Sequence, residues 1–427
     1  MKAGPSPEEI RRHNLGTLLR FVHLRGPSSR ALLAEAMGLN RSTIMALTSD
    51  LTAAGLVREE LPRGPGRRAG RPSLVVRPES TRVYVLAFDL GVDRLAVARV
   101  GLGGTILDRR EAGRTRGEFD AAETVAALAG AARALMRKAG RDAVCVGSAM
   151  AFPGTVRRSD DVIRFAPNLD MRKAERGPAA EGAAGRSLEE GVALGDALSR
   201  RLGLGLPVAV CNDANLGALA EHERGIGIGC DDLIYLHGDV GFGGGIVVGG
   251  RLLGGADGYG GEIGHMVVNP GGRLCGCGSR GCLEAEVGER TLLALSGRTE
   301  SSDLLGRDAI RAVVDAADRG DVQARDALHR VGDWLGRGVA NLVNIFNPGM
   351  VVFGGTLRDI YLGSAAQVRS ALATNALNAP RENLKLRTAE LGDDATLVGA
   401  AEFAFADVLA DPVEVLARLR SPEETPV

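Results

Sequence analysis

The sequence predicts an α/β body of two lobes preceded by a small helical head. From about Val83 onward, apolar strand-like segments alternate with glycine-rich turns and helical segments, which is the pattern of an α/β fold. Residues 1–80 carry 13 Lys/Arg against 7 Asp/Glu, a charge of +6, whereas the remaining residues carry 39 against 46, a charge of −7. A length of 427 residues is also too great for one ordinary core.

The head begins with three predicted helices, each with apolar side chains near helical spacing and each ending near a glycine or before one. They cover residues 7–25, 31–37 and 40–54. In the third, Ile44, Leu47 and Leu51 share an apolar face opposite a polar one. A short helix, a glycine-containing turn and a polar-faced helix together predict a helix-turn-helix.

Residues 53–78 follow as a strand, an arginine-rich loop and a return strand, which predicts a wing. The loop sequence GPGRRAGRPS is compact enough to enter a narrow minor groove, whose negative potential attracts guanidinium groups. An arginine-rich linker without a DNA role is the alternative, but its position after a helix-turn-helix favours the wing. The residues expected to contact phosphates, the minor groove or base edges are Arg41, Ser42, Thr43, Met45, Arg67, Arg68 and Arg71.

The body is predicted to alternate strands and helices along its whole length. The strand segments are residues 83–90, 93–102, 104–112, 145–152, 207–211, 231–238, 244–250 and 350–355. The helical segments are residues 121–139, 213–224, 321–345 and 397–419. No apolar run reaches the roughly 20 residues that span a bilayer, and the first residues lack an apolar signal core. We therefore expect a cytoplasmic protein without a membrane partner.

A cluster of metal-binding residue types lies within residues 260–288. His265, Cys275, Cys277 and Cys282 supply one imidazole and three thiolates, a set suited to tetrahedral Zn²⁺. Three free cysteines in a glycine-rich loop are the alternative, but such clustering in a reducing compartment favours a metal. Because the protein fills all four positions, the predicted zinc site is structural.

The same segment resembles the signature of the repressor, open-reading-frame and kinase family (ROK) in its Glu-x-Gly-His, Cys-x-Cys-Gly and Gly-Cys-x-Glu elements. Further motifs arrive in the family's order: DLG at 89, FPG at 152, PN at 167, NDAN at 212, GFGGG at 241 and NPGMVVFGG at 347. The resemblance implies an actin-like, ribonuclease-H-like pair of lobes around a cleft for sugar and, in kinases, ATP. The family's repressors add an N-terminal winged helix, which this head resembles.

The resemblance divides the chain into three expected domains. Residues 1–80 are the winged helix-turn-helix, residues 81–210 with the C-terminal helix of about 397–427 are the first lobe, and residues 211–396 are the second lobe with the zinc site.

Carried over onto matching positions, the resemblance implies a sugar site formed by Asn168, Asn212, Asp213, Glu262, His265 and Glu284. Carboxylates and amides suit the vicinal hydroxyls of a pyranose. His265 would bind zinc through one ring nitrogen and the sugar through the other. Asp213 could instead simply cap the helix that begins at Ala214.

The phosphate loops bear on whether the chain is an enzyme, because the residue at the position of Asp213 is the general base of the kinases. The family's Asp-x-Gly-Gly-Thr-Lys loop here reads DLGVDR from Asp89, and its Gly-Thr-Gly-x-Gly-Gly-Gly loop reads DVGFGGG from Asp239. Both threonines are absent, and Asp93 and Asp239 add carboxylates. A like-charge pair about 4 Å apart costs on the order of 4 kcal/mol at an effective dielectric of about 20, so ATP binding is not expected.

Together these features predict a sugar-responsive DNA-binding regulator, a repressor that binds operator DNA as a homodimer or homotetramer and keeps Asp213 as a vestigial base. A sugar kinase with an appended DNA-binding domain is the alternative, against which the altered loops argue. A DNA-binding protein with a vestigial cleft is a third possibility, against which the retained polar residues argue. The polar insertion at about 170–190, beside Asn168, leaves the sugar unidentified.

Overall fold

The computed structural model describes residues 4–62, 73–116, 119–169, 191–298 and 306–420. The helices are α1 Pro7–Arg25, α2 Arg30–Met37, α3 Arg41–Ala54, α4 Ala121–Met136, α5 Leu194–Leu202, α6 Asp213–Arg224, α7 Leu283–Val287, α8 Glu289–Leu295, α9 Gly306–Asp318, α10 Val322–Phe346, α11 Thr356–Asn375, α12 Asn378–Arg381, α13 Ala395–Ala410 and α14 Pro412–Arg420. The strands are β1 Ser28–Ser29, β2 Val57–Glu60, β3 Val75–Pro78, β4 Val83–Leu90, β5 Arg94–Gly101, β6 Thr105–Gly113, β7 Val144–Phe152, β8 Thr155–Arg157, β9 Val162–Phe165, β10 Val208–Asn212, β11 Leu233–Gly238, β12 Phe242–Val248, β13 Arg251–Leu252, β14 Met350–Gly355 and β15 Lys385–Thr388.

The three predicted head helices are confirmed as α1, α2 and α3, and local caps explain their bounds. Ser6 and Glu9 form a capping box at the start of α1. The Asn40 side chain accepts a hydrogen bond from the backbone N–H of Thr43 (2.8 Å) at the start of α3. Strand β3 pairs antiparallel with both β1 and β2, which forms a small sheet beside the helices. The predicted wing loop, with Arg67, Arg68 and Arg71, lies almost entirely outside the described residues.

Two five-stranded sheets form the body, and they have the same strand order. The first sheet is ordered β10-β7-β4-β5-β6 and the second β13-β12-β11-β14-β15. In each, the first three strands along the chain are antiparallel neighbours, and the fourth and fifth continue the sheet in parallel with the first. This repeated order is the ribonuclease-H-like arrangement of the expected fold.

Helices α6 and α13 pack against each other between the two sheets. Helix α6 contacts β11 and β12, while α13 contacts β4 and β7. Gly399 of α13 faces the backbone of α6 so closely that a Cβ there would lie 1.9 Å from the carbonyl oxygen of Leu216. Glycine at this position therefore sets the distance between the two helices.

The head shares a hydrophobic core with the first sheet. A single buried cluster runs from Leu18 and Leu51 in the head through Val83 to Phe405 of α13. Helix α1 lies against the end of α13, where a Cβ at Gly16 would come within 2.6 Å of the carbonyl oxygen of Leu409. The head and first sheet are therefore packed as one body over this face.

The predicted single helix over 397–419 is wrong in one respect, because the structure divides it into α13 and α14. The chain leaves helical geometry at Asp411 (φ −140°, ψ 78°), the residue before Pro412. Proline disfavours helical geometry in the preceding residue and lacks the N–H that would continue the helix. The break turns α14 back onto α3.

Among the described residues, no helix combines the length and apolar character needed to cross a membrane.

The contact at Gly399 predicts a large and local stability effect. We expect Gly399→Ala to lower the free energy of unfolding by about 1–3 kcal/mol, because the added methyl group forces α6 and α13 apart. Gly130→Ala is the matched control: Gly130 is exposed on α4 with nothing within 4 Å of an added Cβ, so this change should leave stability unchanged or raise it by up to about 1 kcal/mol. Urea unfolding of the two variants checks both expectations, and wild-type stability in Gly399→Ala would contradict the close helix contact.

Candidate functional site

The six residues of the predicted sugar site line one cavity between the two sheets. They come from the turn after β9, the end of β10, the start of α6, the short 3-10 helix Ile263–His265 with the residue before it, and α7. They are Asn168, Asn212, Asp213, Glu262, His265 and Glu284. Segments far apart in the chain therefore bring these side chains to one place.

Asn212, rather than Asp213, caps α6. Its side-chain oxygen accepts a hydrogen bond from the backbone N–H of Asn215 (3.1 Å), and its amide nitrogen donates to the carbonyl oxygen of Gly154 (3.1 Å). Asp213 is the first residue of the helix, and its carboxylate accepts from the N–H of Ala214 (2.7 Å). The capping alternative for Asp213 is therefore wrong, and Asn212 holds the strand end and helix start in position beside the cavity.

A glycine at 241 lets two of the other site residues converge. A Cβ at this position would lie 2.3 Å from the side-chain nitrogen of Asn168 and 3.0 Å from Oε2 of Glu284. The backbone N–H of the next residue, Phe242, donates a hydrogen bond to the same Oε2 (2.9 Å). The start of β12 thus orients Glu284, and no residue other than glycine at 241 leaves space for this arrangement.

The carboxyl group of Asp213 titrates far from its usual range. Burial, together with the nearby negative charges of Asp239, Asp89 and Glu262, raises its pKa from 3.8 to about 8, against a smaller opposing effect of the Ala214 N–H. At neutral pH this carboxyl group is mostly protonated, so it can donate a hydrogen bond as well as accept one.

The cavity between these residues is narrow. Its volume is about 60 Å³, whereas ligand pockets are typically about 300–1,000 Å³. Admission of a sugar therefore requires the lobes or the lining side chains to move apart. A ligand that binds only a changed arrangement shifts the equilibrium between arrangements.

His265, Cys275, Cys277 and Cys282 form a compact cluster whose ligand atoms all lie within 4.8 Å of one another. The Cys275 Sγ lies 3.6 Å from His265 Nδ1, and the sulfurs of Cys277 and Cys282 are 3.7 Å apart. Tetrahedral zinc, with Zn–S of about 2.3 Å and Zn–N of about 2.0 Å, requires ligand separations of roughly 3.5–3.8 Å. The cluster therefore fits such an ion, with Nδ1 of His265 on the metal side.

A second cavity of about 400 Å³ lies where the phosphate loops meet, and ion pairs occupy its edges. Buried Asp89 accepts hydrogen bonds from Arg94 (2.8 Å) and from the Thr396 hydroxyl (3.0 Å). Asp93 pairs with Arg116 (3.0 Å), which also reaches Glu289 of α8 (3.4 Å). The pair of Asp93 with Arg116 was not predicted, because Arg116 lies outside every motif.

The predicted base-contacting residues lie at the start of α3. Arg41, Ser42 and Met45 are exposed, and Thr43 is half-buried. The hydroxyls of Ser42 and Thr43 both donate to the side-chain oxygen of Asn40 (2.7 and 2.9 Å). The N-cap therefore orients this pair of hydroxyl groups on the exposed end of the helix.

A buried polar cluster joins the head to the body, and it was not predicted. The backbone N–H of Gly103 donates to Nδ1 of His23 (2.8 Å), and Nε2 of the same ring lies 2.8 Å from Glu402 and 2.6 Å from Nη2 of Arg224. Arg224, the last residue of α6, pairs with the other oxygen of Glu402 and donates to the carbonyl oxygens of His23 (3.3 Å) and Gly103 (3.2 Å). Burial lowers the pKa of His23, so its ring is neutral. Although burial opposes ionisation, the contacts with His23 and Arg224 lower the pKa of Glu402.

Comparison with known proteins identifies similar chains. The family profile described as ROK family matches residues 186–406. A xylose repressor of Caldicellulosiruptor bescii is 29% identical over 90% of this chain and 93% of its own length. A crystal structure of a ROK family transcriptional regulator, described as a homolog of the E. coli MLC protein, is 25% identical and covers 96% of this chain and 100% of its own, with a TM-score of 0.73. A ROK family glucokinase from Streptomyces griseus, in complex with glucose and AMPPNP, is 30% identical and covers 76% of this chain and 99% of its own, with a TM-score of 0.61.

The raised pKa of Asp213 predicts a pH-dependent stability difference. The folded state holds this proton up to about pH 8, whereas the unfolded chain releases it near pH 4, so the wild type loses stability as the pH rises through that window. Asp213→Asn removes the effect. We expect the variant to exceed the wild type in stability by an amount that grows between pH 5 and 8, by at most about 1.4 kcal/mol per pH unit.

Thermal unfolding of both proteins across this pH range measures the difference. Asp315→Asn, a change at an exposed aspartate on α9, is the control and should show no such growth. A constant difference between Asp213→Asn and the wild type would show that the carboxyl group is ionised throughout.

Proposed function

Because this chain belongs to the ROK family, we propose that it is a DNA-binding repressor whose operator affinity responds to a sugar bound between its lobes. The similar regulator structure covers 96% of the chain and so includes most of the 80-residue head. The similar repressor is named for xylose, and the glucokinase structure contains glucose. A small sugar or sugar derivative is therefore the proposed effector, and Asn168, Asn212, Asp213, Glu262, His265 and Glu284 are the residues proposed to bind it.

The observation that carries the proposal is the course of α6. Asp213 begins this helix at the cavity, and Arg224 ends it in the buried cluster with His23 of the head. Twelve residues of α-helix span about 18 Å. One rigid element thus contacts both the proposed sugar site and the DNA-binding head.

A movement of α6 would break contacts in the buried cluster of His23, Arg224 and Glu402 at the end of that helix. Arg224, Glu402 and His23 belong to three different helices, and the side chains of Glu402 and His23 have no solvent exposure. A buried charge that loses its partner costs several kcal/mol. A shift of α6 along α13 therefore stabilises a different position of α1, and with it of the head.

We propose that the chain is not a kinase. Arg94 and Arg116 already pair with Asp89 and Asp93, and Arg307 and Arg311, which line this cavity, both pair with Asp359. Burial and the charge of Asp93 raise the pKa of Asp239 in the second loop, so this cavity already disfavours a further negative charge. A triphosphate would add several negative charges to this cavity, whereas each of these four arginines is already paired with a carboxylate. ATP-dependent sugar phosphorylation is the alternative function, and a coupled ATPase assay with hexoses tests it.

We further propose that the bound metal is Zn²⁺, held by His265, Cys275, Cys277 and Cys282. The ion would fix the cysteine-containing loop and hold the His265 ring by Nδ1, which leaves Nε2 for a sugar hydroxyl. The Cys275 Sγ lies 3.5 Å from Oε1 of Glu284, so the cluster lies directly beside another proposed sugar ligand.

Binding of operator DNA also bears on the oligomeric state, the location and the domain division of the chain. We propose that operator DNA is bound by a homodimer or homotetramer in the cytoplasm, with one head for each half-site. The proposed division is a DNA-binding unit of residues 1–80, a first lobe of residues 81–210 completed by the C-terminal helices from 397, and a second lobe of residues 211–396.

Operator binding with and without sugars tests the function. We expect one sugar of a pentose and hexose panel to lower operator affinity by about 1–3 kcal/mol. Asp213→Asn and Glu262→Gln should bind the operator normally but lose this response.

Replacement of Arg67, Arg68 and Arg71 by Ala should weaken operator binding and flatten its salt dependence, because fewer phosphate contacts release fewer counterions. Fluorescence anisotropy at several salt concentrations measures all of these, and a sugar that binds tightly without changing operator affinity would refute the proposal.

Glu402→Gln tests the path of coupling. The variant keeps the shape of the side chain but weakens its contact with Arg224. We expect sugar and operator each to bind within a few-fold of wild-type affinity, while the coupling between them falls toward zero. Asp407→Asn, at an exposed site on the same helix, is the matched control and should keep full coupling. Undiminished coupling in Glu402→Gln would exclude this path.

Metal analysis tests the zinc assignment. Purified wild-type protein should contain about one equivalent of zinc per chain, and Cys277→Ser should lose both the metal and the sugar response. Cys230→Ser, which alters a cysteine outside the cluster, should lose neither. Wild-type protein without zinc, prepared without chelators, would contradict the assignment.

A further inference from the structure

A groove of about 850 Å³ adjoins the proposed sugar site and has no role in the function described above. Asn168 and Glu284 line both the groove and the narrow cavity, so the two spaces share a wall. The volume lies within the range of about 300–1,000 Å³ that is typical of ligand pockets. The groove is therefore the immediate neighbour of the proposed sugar site, on the other side of Asn168 and Glu284.

One oxygen atom in the groove wall lacks a hydrogen-bond partner. Glu289 begins α8 and is 3% exposed. Its Oε1 accepts from the backbone N–H of Gly306 (2.8 Å) and from Arg116 (3.4 Å), whereas its Oε2 has no partner in the described part of the chain. A buried carboxylate oxygen without a donor is costly, so a small movement of the Glu289 side chain toward a ligand that supplies an O–H or N–H group would be favourable.

The rest of the lining combines hydrogen-bond donors with apolar surface. Arg273 and Arg298 line the groove, with Arg298 also donating to the Ser296 carbonyl oxygen (3.2 Å), while Leu274 and Leu293 contribute apolar surface. Leu274 is 65% exposed. A pyranose ring matches this lining, because its hydroxyl groups lie around an edge and its C–H groups form an apolar face. An anionic group matches it less well, because the carboxylates of Glu284 and Glu289 lie in the same wall.

We propose that this groove binds the second ring of a di- or oligosaccharide effector whose first ring lies among Asn168, Asp213 and Glu284. The second ring donates a hydroxyl hydrogen bond to Oε2 of Glu289 and accepts hydrogen bonds from the arginines. This proposal rests on the proposed sugar response and adds to it the class of sugar recognised.

Paired titrations of the full-length protein test the proposal. The probes are glucose against cellobiose and maltose, and xylose against xylobiose, measured by isothermal titration calorimetry. We expect one disaccharide to bind roughly tenfold or more tightly than its monosaccharide, because a single hydrogen bond to a charged group is enough to change affinity by that factor. Glu289→Gln should reduce that advantage and leave the affinity for the monosaccharide unchanged.

A second variant tests the groove without altering a buried residue. Ala294 is exposed on α8 and lines the groove. Ala294→Trp should fill the space and remove the advantage of the disaccharide while monosaccharide binding is retained, and Ala294→Ser, the matched control, should change neither.

The outcomes separate this proposal from the one on which it rests. Monosaccharide binding that equals disaccharide binding, with no effect of Ala294→Trp, would overturn the second-ring site but leave the sugar response standing. Tighter binding of glucose 6-phosphate than of glucose, lost in Arg298→Ala, would assign the groove to an anionic group and also overturn it. Failure of every sugar to bind would overturn both.

Discussion

The close contact between α6 and α13 is the constraint on which the rest of the structure depends. Gly399 allows the backbones of α6 and α13 to come close together. The other faces of α6 pack against the second sheet, and those of α13 pack against the first. Helix α1 of the head packs on α13 as well. Both lobes and the head therefore meet at one pair of helices. Because protein interiors are close-packed, such a pair would move in small steps of sliding or rotation, and the proposed coupling requires that a displacement of one lobe reaches the head through it.

The location of the polar residues follows from the repeated sheet order. Asp89 lies near the end of β4, Asn212 at the end of β10 and Asp239 just after β11. These are ends of strands that run in parallel with their neighbours, and open α/β sheets bind ligands beyond the carboxyl ends of such strands. The two copies of the topology place their strand ends toward each other. A cleft lined by carboxylates is the result, and burial together with the nearby charges of Asp239 and Asp89 raises the pKa of Asp213.

The sequence predicted correctly those helices whose bounds are set by contacts between residues close together in the chain. The first and third head helices begin within one residue of the predicted starts, where Ser6 and Asn40 cap them, because a cap involves residues three positions apart. The six residues that the motifs implied for the sugar site all line the cavity. The division between α13 and α14 was missed, because apolar spacing continues past Pro412. The cluster of His23, Arg224 and Glu402 could not be found, since its members are separated by 201 and 379 positions and belong to no motif. Pairing at such distances depends on the completed fold.

The buried cluster has a consequence for the modularity of such proteins. Removal of the first 80 residues would expose Glu402, Arg224 and the apolar face of α13 that the head now covers. The head is therefore not an appendage that can be deleted or exchanged at a linker. A chimera that joins this head to another sugar-binding body must also carry over the face of α13 that contacts α1. Without that face, buried His23 would lose its contact with Glu402. A body without a head requires a differently composed α13, and the residue aligned with Glu402 is where that difference would be visible.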